Sequence, residues 1–175
     1  WAGIVTPPAA LVDFSGMYAQ GLNYLHGKGH QAIAILYFHA YHFNATEKWM
    51  TDALASLPAS VRDALDVRLY SFDALDKDPR KVARELADHG ARGFIAHTDM
   101  LVSKYVRAIQ ETGLYPHSDV DRVGGYDTHW SQPPMDSFSS VAYDFKNMWS
   151  KAIDLLSRGE ESIVWADMRL VDRAK

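Results

Sequence analysis

Residues 29–38 read GHQAIAILYF, and this stretch decides the fold. A glycine and two polar residues lead into an unbroken apolar run over 32–38. A short apolar run bounded by turn residues is typical of a strand in a parallel sheet that helices cover on both faces. Residues 31–38 are therefore predicted to form a buried strand.

Helix and strand patterns alternate around this strand. Helices are predicted over 15–28, 46–56, 60–65, 78–90, 99–113 and 144–159. Further strands are predicted over 67–71, 93–96, 122–126, 139–142 and 163–171. The alternation predicts an α/β fold, in which helices flank a parallel sheet on both faces.

Capping residues predict where these helices begin and end. Asn44 or Thr46 is the candidate N-cap of the second helix, and Asp99 that of the fifth. Asp78 precedes Pro79 in the pattern of a helix start, and Gly90 follows at the predicted end.

The composition excludes several classes of protein. The 175 residues include 47% hydrophobic and 23% charged residues, which is an ordinary globular composition. The net charge of −4 and the lack of a clustered basic patch argue against direct DNA binding by this chain. Cysteine is absent, so disulfides and thiolate metal sites are excluded. The apolar run at 32–38 is too short to span a membrane.

Polar and aromatic residues cluster where the predicted strands end, and ligands of such sheets bind at the carboxyl ends of the strands. These residues are His39, Tyr41, His42, Phe72, His97, Thr98, Asp99 and Asp127. The loop 39–44 combines polar and aromatic side chains, which favours a ligand-lining role for His42 and Asn44. A metal pair formed by His39 and His42 is the alternative interpretation, although no third ligand is evident nearby.

Sequence motifs of catalysis are missing. The chain has no Gly-x-Ser-x-Gly elbow, no P-loop and no Gly-x-Gly-x-x-Gly motif. Asp73, Asp76 and Asp78 lack the glycine and final glutamate of a calcium loop, and their spacing fits a solvated loop. The expectation is therefore a binding protein without catalytic activity, metal or cofactor.

Four groups of motifs follow one another in order along nearly all of residues 13–173. They are GLNYL (21–25) with GHQAIA (29–34), FIAHTD (94–99) with RAI (107–109) and GL (113–114), VGGYD (123–127), and VAYDF (141–145) with LL (155–156) and LVDR (170–173). Together they resemble the effector-binding domain of LacI/GalR-type transcriptional repressors.

The resemblance implies a periplasmic-binding-protein-like fold of type I, in which two α/β subdomains close on a ligand. Residues 13–127 would form the C-terminal subdomain and residues 128–137 a loop. Residues 138–160 would cross towards the N-terminal subdomain, and residues 161–175 would return as a strand. Most of the N-terminal subdomain is expected outside this sequence. An apolar stripe on the last helix would pack against it: Met148, Trp149, Ala152, Ile153 and Leu156.

The resemblance also implies ligand-binding roles for five residues. Asp127 matches an aspartate that binds ligand hydroxyls, and Phe72 matches an aromatic residue at a strand end. Thr98 stands where the family often has asparagine, and Lys48 lies near a ligand-binding arginine. Phe145 matches a phenylalanine that lines the cleft. The strand tips at Phe72, Thr98 and Asp127 are expected to converge into one wall of that cleft.

The implied function is a cytoplasmic sensor of a sugar or sugar derivative that controls operator binding through a hinge. The sensor would act as a homodimer, with 100–112 and 128–137 as candidate contacts. It would contact operator DNA through a helix-turn-helix headpiece outside this sequence, without a membrane. An extracytoplasmic sugar-binding protein of a transporter is one alternative, and an α/β sugar-processing enzyme is another.

Overall fold

The computed structural model describes residues 9–39, 43–115, 119–135 and 137–173. Its strands are β1 (Ala9–Leu11), β2 (Ala32–Tyr37), β3 (Asp66–Ser71), β4 (Gly93–Ala96), β5 (Asp121–Gly125), β6 (Ser139–Tyr143), β7 (Ile163–Trp165) and β8 (Met168–Val171). Its α-helices are α1 (Phe14–Gly27), α2 (Phe43–Ser56), α3 (Ala59–Arg62), α4 (Phe72–Lys77), α5 (Pro79–His89), α6 (Asp99–Glu111) and α7 (Phe145–Ser157). A short 3₁₀ helix spans His129–Ser131.

Six strands form the main sheet in the order β3-β2-β4-β5-β6-β8. The first five run parallel, and β8 runs antiparallel to β6 at one edge. β1 and β7 form a separate two-stranded parallel sheet. The predicted α/β fold with a mainly parallel sheet is confirmed.

The strand β2 shows why the sheet is covered on both faces. Ile33 and Ile35 pack into a cluster with α1 and α2, whereas Ala34 and Leu36 pack into a cluster with α5 and α6. All four side chains are fully buried. Because successive side chains of a strand point to opposite faces, an unbroken apolar run is what a sheet between two helix layers requires.

The helix α5 begins and ends where the sequence predicts. The Asp78 carboxylate accepts a hydrogen bond from Lys81 N, Pro79 occupies the first turn, and Gly90 ends the helix with a φ of +72°. Glycine adopts this left-handed conformation without the steric cost that a Cβ would add.

Two helix starts differ from the prediction. The helix α2 already begins at Phe43, so Asn44 and Thr46 lie inside it and do not cap it. At α6 the cap is Thr98, whose hydroxyl accepts a hydrogen bond from Leu101 N, and Asp99 is the first helical residue. The prediction of Asp99 as N-cap is therefore wrong by one residue.

The structure of two further segments differs from the prediction. Residues 72–77 form α4, capped by the Ser71 hydroxyl, although the acidic residues there predicted a loop. The single strand predicted over 163–171 is two strands that lie in different sheets. Residues 166 and 167 cross from one sheet to the other between them.

The apolar stripe of α7 is only partly covered. Met148 is buried against the main core, whereas Trp149, Ile153 and Leu156 are each more than half exposed. Ile163 and Trp165 on β7 are exposed as well. None of the described helices is long and apolar enough to cross a membrane.

The glycine at 124 lets β5 lie directly against the start of α6. A Cβ built on Gly124 would lie 2.0 Å from the Asp99 Oδ1 atom and 2.7 Å from the Asp99 Cα atom. The latter is a backbone atom, so no side-chain rotation removes the conflict. The substitution Gly124→Ala is expected to destabilise the fold by about 1–3 kcal/mol, the usual cost of overpacking a core.

Urea unfolding followed by tryptophan fluorescence measures this effect. Gly27→Ala is the matched control, because a Cβ there meets nothing within 4 Å. The control is expected to leave the free energy of unfolding unchanged or slightly higher. Equal stability of the two variants would contradict the close contact between β5 and α6.

Candidate functional site

A cavity of about 650 Å³ lies beside the carboxyl ends of β1, β4 and β7. Its walls include residues from both sheets, because strands of both sheets end beside it. The lining residues are Leu11, Val12, Asp13, Phe14, Ser15, Ala45, Thr46, Lys48, Trp49, Asp52, His97 and Trp165. The volume matches that of cavities that bind small molecules.

Aromatic rings dominate one part of this cavity. The ring centroids of Phe14 and Trp49 lie 4.6 Å apart, and the His97 ring meets Phe14 edge-on at 6.0 Å. Trp165 comes from the two-stranded sheet and is half exposed. Such ring faces can stack on the C–H face of a sugar or on a flat ring.

Several polar groups of the cavity come from α2 and from the residue that caps α1. The Asp13 carboxylate caps α1 by accepting a hydrogen bond of 2.9 Å from Gly16 N. Lys48 Nζ donates to the Asp52 carboxylate at 2.7 Å. Thr46 is fully buried, and its hydroxyl has no hydrogen-bond partner.

Of the residues predicted to bind a ligand, Lys48 lines this cavity. Asn44 is exposed in the first turn of α2, next to Ala45 in the cavity wall. His42 lies outside the described residues. His39 Nδ1 lies 2.8 Å from an Asp73 carboxylate oxygen, which gives this histidine a partner on α4. Within the described ranges, no group of three or more His, Asp or Glu side chains is arranged to hold a metal ion.

The structure places Phe72 against the opposite helix layer. Phe72 directly follows the last residue of β3 and is the first residue of α4. Its ring stacks on Phe38 with centroids 5.5 Å apart and meets Tyr105 edge-on at 6.0 Å. These contacts belong to the core cluster around α5 and α6.

Asp127 is held by other groups of the protein. Its carboxylate forms an ion pair with Arg173 and accepts a hydrogen bond of 3.4 Å from Gln132 Nε2. Its backbone N–H donates to Ser140 Oγ at 3.0 Å, and its φ of +50° lies in the left-handed region. The side chain of Asp127 is thus directed to β8 and the loop after β5.

Thr98 and Phe145 have local partners as well. The Thr98 hydroxyl caps α6, and the Phe145 ring stacks on Tyr126 with centroids 6.0 Å apart. Phe72, Thr98 and Asp127 therefore each have partners within the protein, and none of the three lines the cavity beside Trp49. The wall of that cavity includes Phe14, Thr46, Trp49, His97 and Trp165.

Of the aromatic residues in the cavity wall, the sequence indicates a site role for His97 but not for Phe14 or Trp49. His97 follows a buried strand, and that position points to a ligand site. Phe14 and Trp49 lie in amphipathic helices, where an aromatic residue is usually a core residue. No local pattern distinguishes them, since their exposure to a cavity depends on how α1 and α2 pack against the two-stranded sheet.

The Asp99 carboxylate links the start of α6 to β6 and to the segment after β5. Its two oxygens accept hydrogen bonds from Thr128 N and Oγ1, from Ser131 Oγ and from Ser140 Oγ. The residue is fully buried. Burial raises the pKa of Asp99 above its ordinary value, although the hydrogen bonds from Ser140, Thr128 and Ser131 act in the opposite direction.

The fold is similar to that of proteins of known structure. No protein-family model and no curated protein matches the chain in sequence. Among solved structures, the lac repressor bound to ONPG matches with a TM-score of 0.69 and 19% identity, over 97% of this chain and 53% of that one. The fold is that of LacI-type effector-binding domains.

Two further structures support this conclusion. A periplasmic binding protein/LacI transcriptional regulator from Alkaliphilus metalliredigens, complexed with D-xylulofuranose, matches with a TM-score of 0.68 and 17% identity, over 94% of this chain and 64% of that one. The regulator CelR in complex with cellobiose matches with a TM-score of 0.65 and 18% identity, over 99% of this chain and 56% of that one. The chain thus spans between about half and two thirds of these LacI-type proteins.

The buried Asp99 carboxylate predicts a pH dependence of stability. With a pKa raised in the folded state, Asp99 stabilises the fold below the ordinary pKa of 3.8, and this contribution is lost as the pH rises through the raised pKa. The difference in unfolding free energy between the natural protein and Asp99→Asn is therefore expected to fall as the pH rises above about 4.

Urea unfolding at a series of pH values between 4 and 8 measures this difference. Asp76→Asn, which changes an exposed carboxylate of α4, is the reference for a substitution outside the network. A difference that rises with pH would contradict the pKa shift. Asp99→Ala is expected to be less stable than Asp99→Asn, because alanine leaves the four donors without an acceptor.

Proposed function

We propose that this protein binds a sugar-like small molecule in the cavity beside Trp49 and serves as the effector-binding part of a LacI-type transcription regulator. The observation that carries the proposal is the double origin of the cavity wall. Phe14, Trp49 and His97 come from elements packed on the main sheet, whereas Leu11 and Trp165 come from the two-stranded sheet.

A cavity with walls from two sheets suits a ligand-dependent hinge. The chain crosses between the sheets at 12–13, at 144 and at 166–167. A ligand that contacts both sides favours the arrangement in which both contacts are made. These short crossovers are the positions at which a change in the angle between the two sheets is absorbed.

The groups that line the cavity suit the binding of a sugar-like ligand. Aromatic faces, a threonine hydroxyl and a lysine–aspartate pair surround it. These groups provide stacking and hydrogen bonds, the interactions that polyols need. The lac repressor and CelR structures, which share the fold, hold ONPG and cellobiose respectively.

The regulator would act as a dimer in the cytoplasm and reach operator DNA through a separate headpiece. The segment after β5 and the outer face of α6 are the proposed dimer contacts. Met135 is exposed there, and Lys104 Nζ lies 5.4 Å from the centre of the Trp130 ring, which joins α6 to this segment.

A thermal-shift screen with sugars tests the proposed binding site. A sugar that binds the folded protein raises its Tm, and the rise grows with the logarithm of the sugar concentration relative to its Kd. Trp49→Ala is expected to reduce this rise strongly, because it removes one of the two indole rings of the wall. Trp149→Ala is the matched control, since Trp149 lies on the exposed face of α7.

The two variants separate the outcomes. A rise in Tm that Trp49→Ala abolishes and Trp149→Ala preserves supports the cavity as the binding site. Chemical conversion of the sugar by the purified protein, or a rise in Tm that both variants keep, would contradict the proposal.

A further inference from the structure

We propose that the cavity selects uncharged ring compounds, with Thr46 as a ligand-binding residue, and rejects sugar phosphates and sugar acids. This inference rests on the proposed function, because it names the ligand class of the same cavity. It also changes the role expected for Lys48. The resemblance to LacI-type proteins implies that Lys48 binds the ligand, since a ligand-binding arginine lies near this position in that family.

The charges of the cavity disfavour an anion. The charged side chains in its lining are one lysine and two aspartates, so negative charge is in excess. Lys48 donates to Asp52 at 2.7 Å across one helical turn, so a carboxylate lies beside its charge. A phosphate that approached Lys48 would have to compete with this carboxylate and would meet the second one at Asp13.

The N-terminus of α1 offers no anion site either. Helix N-termini bind anions through their free N–H groups and the helix dipole. Here the Asp13 carboxylate occupies that place, since its Oδ1 accepts from Gly16 N at 2.9 Å. The protein thus fills with its own carboxylate the position where an anionic ligand would otherwise bind.

Thr46 supplies the hydrogen-bonding group that an uncharged ligand needs. It is fully buried in the wall, and its hydroxyl lacks a partner, which is an unfavourable state for a polar group. Thr46 is also one of the residues that line the cavity.

The positions of Thr46 and Trp49 fit one ligand. They lie three residues apart on α2 and therefore share one face of the helix, and both line the cavity. A ring compound stacked on the Trp49 indole has its rim next to Thr46. One of its hydroxyl groups donates to, or accepts from, the threonine Oγ1 atom.

The test compares matched pairs of uncharged and anionic ligands by thermal shift and calorimetry. Glucose, galactose, mannose and ribose are each measured against their phosphates and the corresponding sugar acids. We expect at least one uncharged sugar to bind and its anionic forms to bind at least tenfold more weakly. Equal or tighter binding of an anionic form would overturn the inference while leaving the proposed function intact. Failure of every compound to bind would instead remove the proposed function and this inference with it.

Variants of α2 test the role of Thr46. Thr46→Val, which keeps the shape and removes the hydroxyl, is expected to weaken binding of the uncharged sugar roughly tenfold, the effect of one hydrogen bond. Because the hydroxyl has no partner in the free protein, the Tm without ligand is expected to stay the same or rise. Thr46→Ser is expected to restore binding.

Two further variants complete the design. Thr51→Val is the matched control, because the Thr51 hydroxyl donates to Glu47 O on the exposed side of the same helix. Asp52→Asn releases Lys48 and is expected to bring measurable binding of the sugar phosphate. Unchanged sugar affinity in Thr46→Val would overturn the role of Thr46, and unchanged rejection of the phosphate in Asp52→Asn would overturn the role of the Lys48–Asp52 pair.

Discussion

One buried carboxylate fixes the part of the fold on which the cavity depends. Asp99 accepts hydrogen bonds from Thr128, Ser131 and Ser140, and so it ties the start of α6 to β6 and to the segment after β5. Gly124 makes room for it. His97, two residues earlier, is thereby held at the carboxyl end of β4. A charge this deeply buried is tolerated only because four donors satisfy it.

The cavity lies where the chain crosses between the main sheet and the β1–β7 sheet. Helices cover both faces of the main sheet, whereas the β1–β7 sheet has two strands among the described residues and an exposed apolar side. An isolated pair of strands is marginally stable on its own. The short crossovers bring Leu11 and Trp165 over α1 and α2, and the space left between them is lined by Phe14, Trp49 and Thr46. Binding groups therefore sit where the two sheets meet and not inside either core.

Much of this fold could be predicted from the sequence, because the patterns that determine it are local. The unbroken apolar run at 32–38, the Asp-Pro start of α5 and the glycine at its end each carry their own physical reason. The site was predicted less well. The acidic residues after Ser71 are typical of a loop, but the Ser71 hydroxyl caps a helix, α4, that begins with Phe72. The Thr98 hydroxyl caps α6. Asp127 pairs with an arginine 46 residues away, a contact that no local pattern reveals. Phe14 and Trp49 became visible only through the packing of distant segments.

The most direct test of the cavity as the binding site is ¹⁹F NMR of the protein labelled with 5-fluorotryptophan. The sequence has five tryptophans, and single Trp→Phe variants assign their signals. Addition of the sugar that most raises the Tm is predicted to shift the signals of Trp49 and Trp165, with those of Trp130 and Trp149 unchanged. Shifts confined to Trp130 and Trp149 would contradict the account, because they would place the ligand on the outer face of α6 or α7.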